Sequence, residues 1–159
     1  MIDNQIVIRK GRVADLPILL EFEQGIIEVE RPFDTTLKDE KISYYDIREF
    51  ILSPDADVIV AEMNGQLVGS GYVLIKEAKD YFKHEKYGYL GFMYVTPDAR
   101  GRGVNGMIID EMKAWCKRRD IYEIRLEVYD ENPGAIRAYE KAGFVKQIVS
   151  MRVDIREIP

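Results

Sequence analysis

Apolar residues recur along this chain in two rhythms, and the rhythm changes where the structure should change. From Ile2 to Arg9 the side chains alternate, with Ile6 and Ile8 set against Val7 and Arg9, which predicts a strand. From about Asp15 the spacing becomes helical. Leu16, Leu19, Leu20, Glu23, Ile26 and Ile27 share one stripe, and Glu23 alone breaks its apolar character. Pro17 falls in the first turn, where a missing N–H loses no partner. The run Arg31-Pro32-Phe33-Asp34 ends that helix. A second is predicted from Thr36, with Asp39 completing a capping-box pattern, to about Leu52 before Pro54.

Alternation returns at Val58 to Met63 and again at Gln66 to Ile75. Between them Asn64-Gly65 predicts a type I′ hairpin, since both central residues of that turn take positive φ. Tyr87 to Val95 is the next strand. Lys76 to Lys86, with seven charged residues, forms the hairpin tip between. Gly103 to Arg118 returns to helical spacing, with Val104, Met107, Ile108, Met112, Trp115 and Cys116 on one face. Ile121 to Tyr129 reads as a strand. Asn132 to Ala142 is a short helix with Asn132 suited to the N-cap, Pro133 to the first turn and Gly143 to the left-handed residue after the end. Phe144 to Ile155 reads as one or two final strands.

The element order is thus β-α-α-β-β-β-α-β-α-β. Hairpin-linked strands pair antiparallel, and the strand-helix-strand step from Tyr87 to Tyr129 implies one parallel pair. The expected fold is α/β (α+β mixed): a mixed sheet with helices on both faces, in one domain spanning 1–159.

Composition narrows the chemistry. A net charge of −5 argues against a nucleic-acid partner. One cysteine and one histidine, Cys116 and His84, leave no disulfide and no Cys/His metal cluster to expect. A hydrolase triad would have to use His84, and no nucleophile-elbow motif accompanies it. Neither a signal-peptide core nor an 18-residue apolar run occurs, so no membrane partner is expected and a reducing cytoplasm is the expected location.

The segment richest in chemistry runs from Val95 to Gly106. A strand ends, the chain turns through Arg100, Gly101, Arg102 and Gly103, and an amphipathic helix opens with Val104, Asn105 and Gly106. The first amides of a helix have no backbone partner and face the positive end of its dipole. Glycines let an anion approach those amides, so the turn suits a phosphate or pyrophosphate. A glycine-rich connection with solvated arginines fits the same residues. Neither a Walker loop nor a G-x-G-x-x-G dinucleotide pattern is present.

Val95-x-Pro97-x-x-Arg100-Gly101-x-Gly103 resembles the acetyl-CoA-binding motif of the GNAT (GCN5-related N-acetyltransferase) superfamily. Asn132-x-x-Ala135-x-x-x-Tyr139-x-x-x-Gly143-Phe144, preceded by Leu126-x-Val128, is similar to that family's second hallmark. The pattern departs at one place: the second glycine position holds Asn105, with Gly106 next to it. The resemblance implies a mostly antiparallel sheet of six to seven strands. It also implies acetyl-CoA as co-substrate, an amine acceptor and no metal.

By the same resemblance, the donor's pantetheine arm would run beside Met93, Tyr94 and Val95. Its pyrophosphate would rest on Arg100, Gly101, Arg102, Gly103, Val104, Asn105 and Gly106. Asn132, Ala135 and Tyr139 would complete the donor site. The main-chain N–H near Met93 would stabilise the oxyanion, and Tyr139 would protonate the leaving thiolate. The strand from Tyr87 to Tyr94 holds no carboxylate to act as base. Glu28, Glu30, Asp34, Glu127 and a water chain all stay open for that role. The acceptor pocket is expected between Glu28–Asp34 and the Lys76–Lys86 hairpin, using Glu28, Glu30, Phe33, Tyr81 and Glu127, and its acidity suits a cationic amine. A module that binds acyl-CoA without transferring it, and a nucleotide-binding domain using the same loop, are the competing readings. The last strands offer sheet edges for a homodimer.

Overall fold

The structure, a computed structural model, describes residues 5–158. Five strands form one sheet in the order β1-β2-β3-β4-β5: β1 Ile6–Lys10, β2 Ala56–Met63, β3 Gln66–Glu77, β4 Lys86–Val95 and β5 Ile124–Arg125. The first four pair antiparallel, and β5 joins β4 in parallel. Helices α1 (Leu16–Glu30), α2 (Ile47–Leu52), α3 (Val104–Lys117) and α4 (Pro133–Lys141) complete the order. The first nine elements follow the predicted sequence. Residues 2–4 of the first predicted strand lie outside the described residues.

Each face of the sheet carries its own core. On one side α3 lays Val104, Ile108, Ile109, Met112, Trp115 and Cys116 against Ile59, Ala61, Val73 and Leu90. Each of the large side chains contributes roughly 1.5–3 kcal/mol by leaving water. Met107, predicted for this face, is 37% exposed, and Ile109 packs inward in its place. On the other side Leu19, Phe22 and Ile26 of α1 and Ile47 and Ile51 of α2 cover Val58, Val60, Tyr72 and Phe92. Cys116 is fully buried, and burial pushes its thiol up to about 11.

Glu23, the polar break in the α1 stripe, is 1% exposed. Its carboxylate accepts from Ser43 Oγ at 2.9 Å, from the Tyr44 N–H at 3.0 Å and from the Tyr45 N–H at 2.9 Å. A buried carboxylate is tolerable only with such donors. Here it ties the long α1–α2 connection to the body.

That connection corrects the second predicted helix. The helix begins at Ile47, not Thr36, and Asp46 caps it by accepting from the Glu49 N–H at 3.1 Å. Asp34 instead accepts from the Thr36 N–H at 2.9 Å, a local turn that competes with helix entry. The strand count is corrected too. Five strands form among the described residues, not six to seven, and Phe144 to Asp154 takes no sheet partner. The strand expected over Ile121–Tyr129 shrinks to Ile124–Arg125, because only Gly88↔Ile124 and Tyr89↔Arg125 pair across to β4.

Candidate functional site

The shortness of β5 builds the site. Beyond Tyr89 and Arg125 the two parallel strands part, and the second half of β4 faces a gap. At the same point β4 carries Phe92 and Met93 where β3 offers Gly71 alone, since the register passes from Tyr72↔Gly91 to Ser70↔Tyr94. This is a β-bulge. Phe92 takes φ +58°, a left-handed conformation costly for a bulky residue. Burial of its ring and a 3.0 Å hydrogen bond from Ser70 Oγ to its carbonyl hold it there. Gly91 beside it allows the Tyr72 ring to sit where a Cβ would stand, 2.4 Å from the ring's Cζ.

The gap opens into a cleft of about 300 Å³. One wall is Met93, Tyr94 and Val95 of β4. The opposite wall is Glu127, Val128 and Tyr129, which continue from β5. Ile26, Val29 and Glu30 of α1 close one end, and Asn132, Ala135 and Tyr139 of α4 form another side. A second hollow, of about 170 Å³, is lined by Val95, Ala99, Arg100, Gly101, Gly103, Val104 and Asn105. Val95 and Arg100 belong to both, so the two hollows are contiguous.

The second hollow is the glycine turn. Gly101 and Gly103 both take φ +78°, and Gly103 is the N-cap of α3. The first intrahelical bond closing there runs from the Met107 N–H to Gly103 O at 3.1 Å, leaving the amides of residues 104–106 as the open donors of the helix start. Arg100 Nε donates to Val95 O at 3.3 Å, which holds its side chain along the junction of the hollows. Asn105 lines the hollow and Gly106 does not. Arg102 is exposed and reaches the other way, with Nη1 3.8 Å from Met63 Sδ.

At α4 the Asn132 side chain accepts from the Ala135 N–H at 3.3 Å, Pro133 occupies the first turn, and Gly143 takes φ +100°. These caps set the helix so that Tyr139 faces the cleft. Burial, and then the charge of Glu30, push the Tyr139 hydroxyl up to about 12, so it is a proton carrier at neutral pH. Burial holds Glu30 above the ordinary carboxylate range. The Tyr44 hydroxyl works against that rise and the charge of Asp34 adds to it. Asp34 is held low by the Thr36 hydroxyl, the Thr36 N–H and the Tyr129 hydroxyl, which donates at 2.8 Å. Glu127 lies near Tyr89, whose hydroxyl burial and that carboxylate raise to about 12.

Met93, Tyr94, Val95, Arg100, Asn132, Ala135 and Tyr139 thus come together around one cleft, with Glu30 and Glu127 facing it. Glu28 is exposed on the outside of α1. Phe33 sits at the rim, its ring 6.1 Å from that of Tyr129. Tyr81 is 73% exposed at the tip between β3 and β4, and no residue of that tip lines the cleft. Val29, Val128 and Tyr129 were not anticipated as lining. Val29 follows Ile26 by one helical turn, a spacing that could have marked it. Tyr129 meets Asp34 across 95 positions of chain, a pairing no local pattern announces.

Comparison with known proteins gives a consistent answer. The profile of the Acetyltransferase (GNAT) family matches residues 24–144, about three quarters of the chain. An acetyltransferase of Pectobacterium atrosepticum is 36% identical over 91 residues, covering 57% of this chain and 59% of that protein. Across the curated relatives it matches, the chain spans 28 to 63% of their length. Among solved structures, a mutant protein from Bacillus halodurans superposes with a TM-score of 0.84 at 17% identity, covering 93% of this chain and 98% of that one. A predicted acetyltransferase from Clostridium acetobutylicum, solved with acetyl-CoA, gives 0.73 at 19% identity, covering 97% and 99%. At such identities the structural matches establish the fold.

Proposed function

The chain belongs to the GNAT acetyltransferase family, and from that premise we propose that it moves the acetyl group of acetyl-CoA to a primary amine by direct attack in a ternary complex. The observation that carries this reading is the continuity of the two hollows: the parted β4–β5 gap runs straight into the amide-lined turn at the start of α3. An elongated ligand with an extended amide-bearing arm and an anionic diphosphate fits that shape. The arm would complete the missing strand pairing of Met93, Tyr94 and Val95, and the diphosphate would meet the open amides of residues 104–106 with Arg100.

In this reading Glu30 takes the proton from the incoming ammonium, because it lines the cleft and burial holds its carboxylate above the ordinary range. The freed amine attacks the thioester carbon, and the main-chain N–H at Met93 steadies the negative charge on oxygen. The C–S bond breaks, Tyr139 gives its hydroxyl proton to the leaving thiolate, and the nitrogen of the new amide returns its surplus proton to the Tyr139 phenolate. Glu30 and Glu127, set against no Lys or Arg at that end of the cleft, favour a cationic acceptor such as a polyamine, an amino-acid derivative or a peptide amino terminus.

The test is release of free CoA thiol across a panel of amines, alongside acetyl-CoA titration by calorimetry. Tyr139→Phe should lower turnover at least ~100-fold while leaving donor affinity nearly unchanged. Unchanged turnover removes Tyr139 from the acid role. Donor binding with no thiol release for any amine would favour a non-catalytic acyl-CoA-binding module, the reading that the carboxylate-free β4 also supports. Absence of donor binding would overturn both.

A further inference from the structure

The ladder between β4 and β5 ends at Tyr89↔Arg125, so strand pairing does not hold the wall that Glu127, Val128 and Tyr129 give the cleft. Beside the α1 end of the cleft runs the connection from α1 to α2, and side chains fix it on the α1 side. Arg31 Nη1 and Nη2 donate to Lys38 O at 2.6 Å and to Glu40 O at 2.9 Å. Gln24 Nε2 donates to Ile42 O at 2.9 Å, and Glu23 holds Ser43, Tyr44 and Tyr45. These bonds satisfy backbone groups that no helix or ladder serves, and they bind an irregular segment to a rigid one. A side chain also joins that segment to the unpaired wall. The Tyr129 hydroxyl donates to Asp34 Oδ2 at 2.8 Å, and the Tyr129 ring lies 6.1 Å from that of Phe33.

We propose that Tyr129 is a positioning residue for the acceptor: its hydrogen bond to Asp34 clasps the extension of β5 to the α1–α2 connection and fixes the end of the cleft where the amine sits. The inference rests on the transfer reading above, which puts the amine beside Glu30. Glu30 and Tyr129 both line the cleft, and Asp34, four residues past Glu30, does not. Asp34 is itself oriented. Its Oδ1 accepts from the Thr36 N–H at 2.9 Å and from the Thr36 hydroxyl, which leaves Oδ2 for Tyr129. The Thr36 hydroxyl and N–H, then the Tyr129 hydroxyl and the charge of Arg152, hold the Asp34 carboxyl below its ordinary range. Burial, and then the bond to Asp34, hold the Tyr129 hydroxyl above the ordinary tyrosine range. Near neutral pH the donor therefore stays protonated and the acceptor ionised, the pairing that makes a strong hydrogen bond.

The clasp acts on binding more than on chemistry. Without it, the backbone bond at that wall is the Asn132 N–H to Tyr129 O at 3.0 Å, a local turn that sets no distance to α1. An amine entering the cleft would then have to order the wall as well as itself, and that cost falls on the affinity for the acceptor. Once the amine is seated, attack and proton transfer proceed from the same geometry as before.

The test is a double-mutant cycle on the full chain, read as acceptor KM and kcat from CoA thiol release with the best amine of the panel. Tyr129→Phe, which keeps the ring, and Asp34→Ala should each raise the acceptor KM about tenfold, with kcat changed less than about threefold. The double variant should be no worse than either single one. Asp34→Asn should stay within about threefold of wild type, because its amide oxygen accepts from the Thr36 N–H while its NH2 donates to the Tyr129 oxygen. An unchanged KM in Tyr129→Phe, additive losses in the double variant, or an Asn variant as poor as the Ala variant each overturns the proposal. Hydrogen exchange on the ligand-free protein separates this failure from failure of the transfer reading. The amides of residues 127–129 should exchange faster in Tyr129→Phe and Asp34→Ala alike, and unaltered exchange in both overturns the clasp whatever the activity. A wild type that releases thiol with no amine overturns the transfer reading, and the positioning role falls with it.

Discussion

The antiparallel meander β1–β4 and the parallel junction β4–β5 are made of the same kind of strand, yet they are finished to different degrees. β2 and β3 match eight residue pairs, from Ala56↔Leu74 to Met63↔Gln66, with one irregularity. β4 and β5 match two. Where the ladder is complete, side chains on both faces are buried and the backbone has nothing left to offer. Where it stops, main-chain groups and half-buried side chains face a cleft. The same molecule therefore spends its hydrogen bonds on rigidity in one region and keeps them available for a ligand in the other.

If that division holds, substitutions in the meander should move stability without touching ligand terms, and substitutions at the junction should do the reverse. The largest effect is expected where α3 covers the meander, at Ile108 of that helix, fully buried against the sheet. Ile108→Ala should cost about 4 kcal/mol of unfolding free energy, measured by denaturant titration, with the acetyl-CoA dissociation constant unchanged below the transition. A variant that lost donor affinity in proportion would break the comparison.

The second effect lies at Glu30. Glu30→Gln should lower kcat/KM about 100-fold, or about 2.7 kcal/mol of transition-state stabilisation. Burial raises its folded-state pKa, so folding favours the protonated form. Stability therefore falls as pH rises from the unfolded value through the raised one, and Gln removes that penalty. The variant should melt no lower than wild type at pH 8. In wild type, kcat/KM should climb with pH through an ionisation above the ordinary carboxylate range, and this limb should vanish in Glu30→Gln. A pH profile that kept the limb would transfer the base role elsewhere.

The smallest effect is expected at Gly103, whose φ of +78° suits glycine. Gly103→Ala should cost about 1 kcal/mol of stability by thermal melting. It should weaken acetyl-CoA binding by a larger factor than that loss explains, since the new methyl stands at the mouth of the amide-lined hollow. Equal losses in both would mean that the turn is scaffold after all.

How much could be read in advance follows the same division. The Asn64-Gly65 turn, with φ of +55° and +75°, and the Asn132-Pro133…Gly143 frame of α4 were legible because their causes lie within a few residues. So were the two glycines and Arg100 at the head of α3. The α1–α2 connection was not. Its apparent capping pattern at Thr36 lost to Asp34 locally and to Glu23, which claims the amides of Tyr44 and Tyr45, 21 and 22 residues along the chain. The final strands illustrate the other limit. Alternation from Val149 to Ile155 states that a segment suits a sheet, but only an available edge decides whether it joins one. The bulge at Phe92 left no mark in the sequence either, since a left-handed phenylalanine is set by its surroundings. Among the residues lining the cleft, Arg100, Asn132, Ala135 and Tyr139 of the two motifs and the carboxylates Glu30 and Glu127 were anticipated, whereas Val29, Val128 and Tyr129 were not.

Cys116 carries a practical consequence. It is the chain's single cysteine, wholly enclosed beneath α3. Maleimide chemistry should leave the native protein untouched, because the thiolate it needs is both scarce and shielded. A cysteine placed at any surface position then becomes a unique attachment point. A spin label or fluorophore there can report on its own surroundings without first stripping the natural residue from the interior.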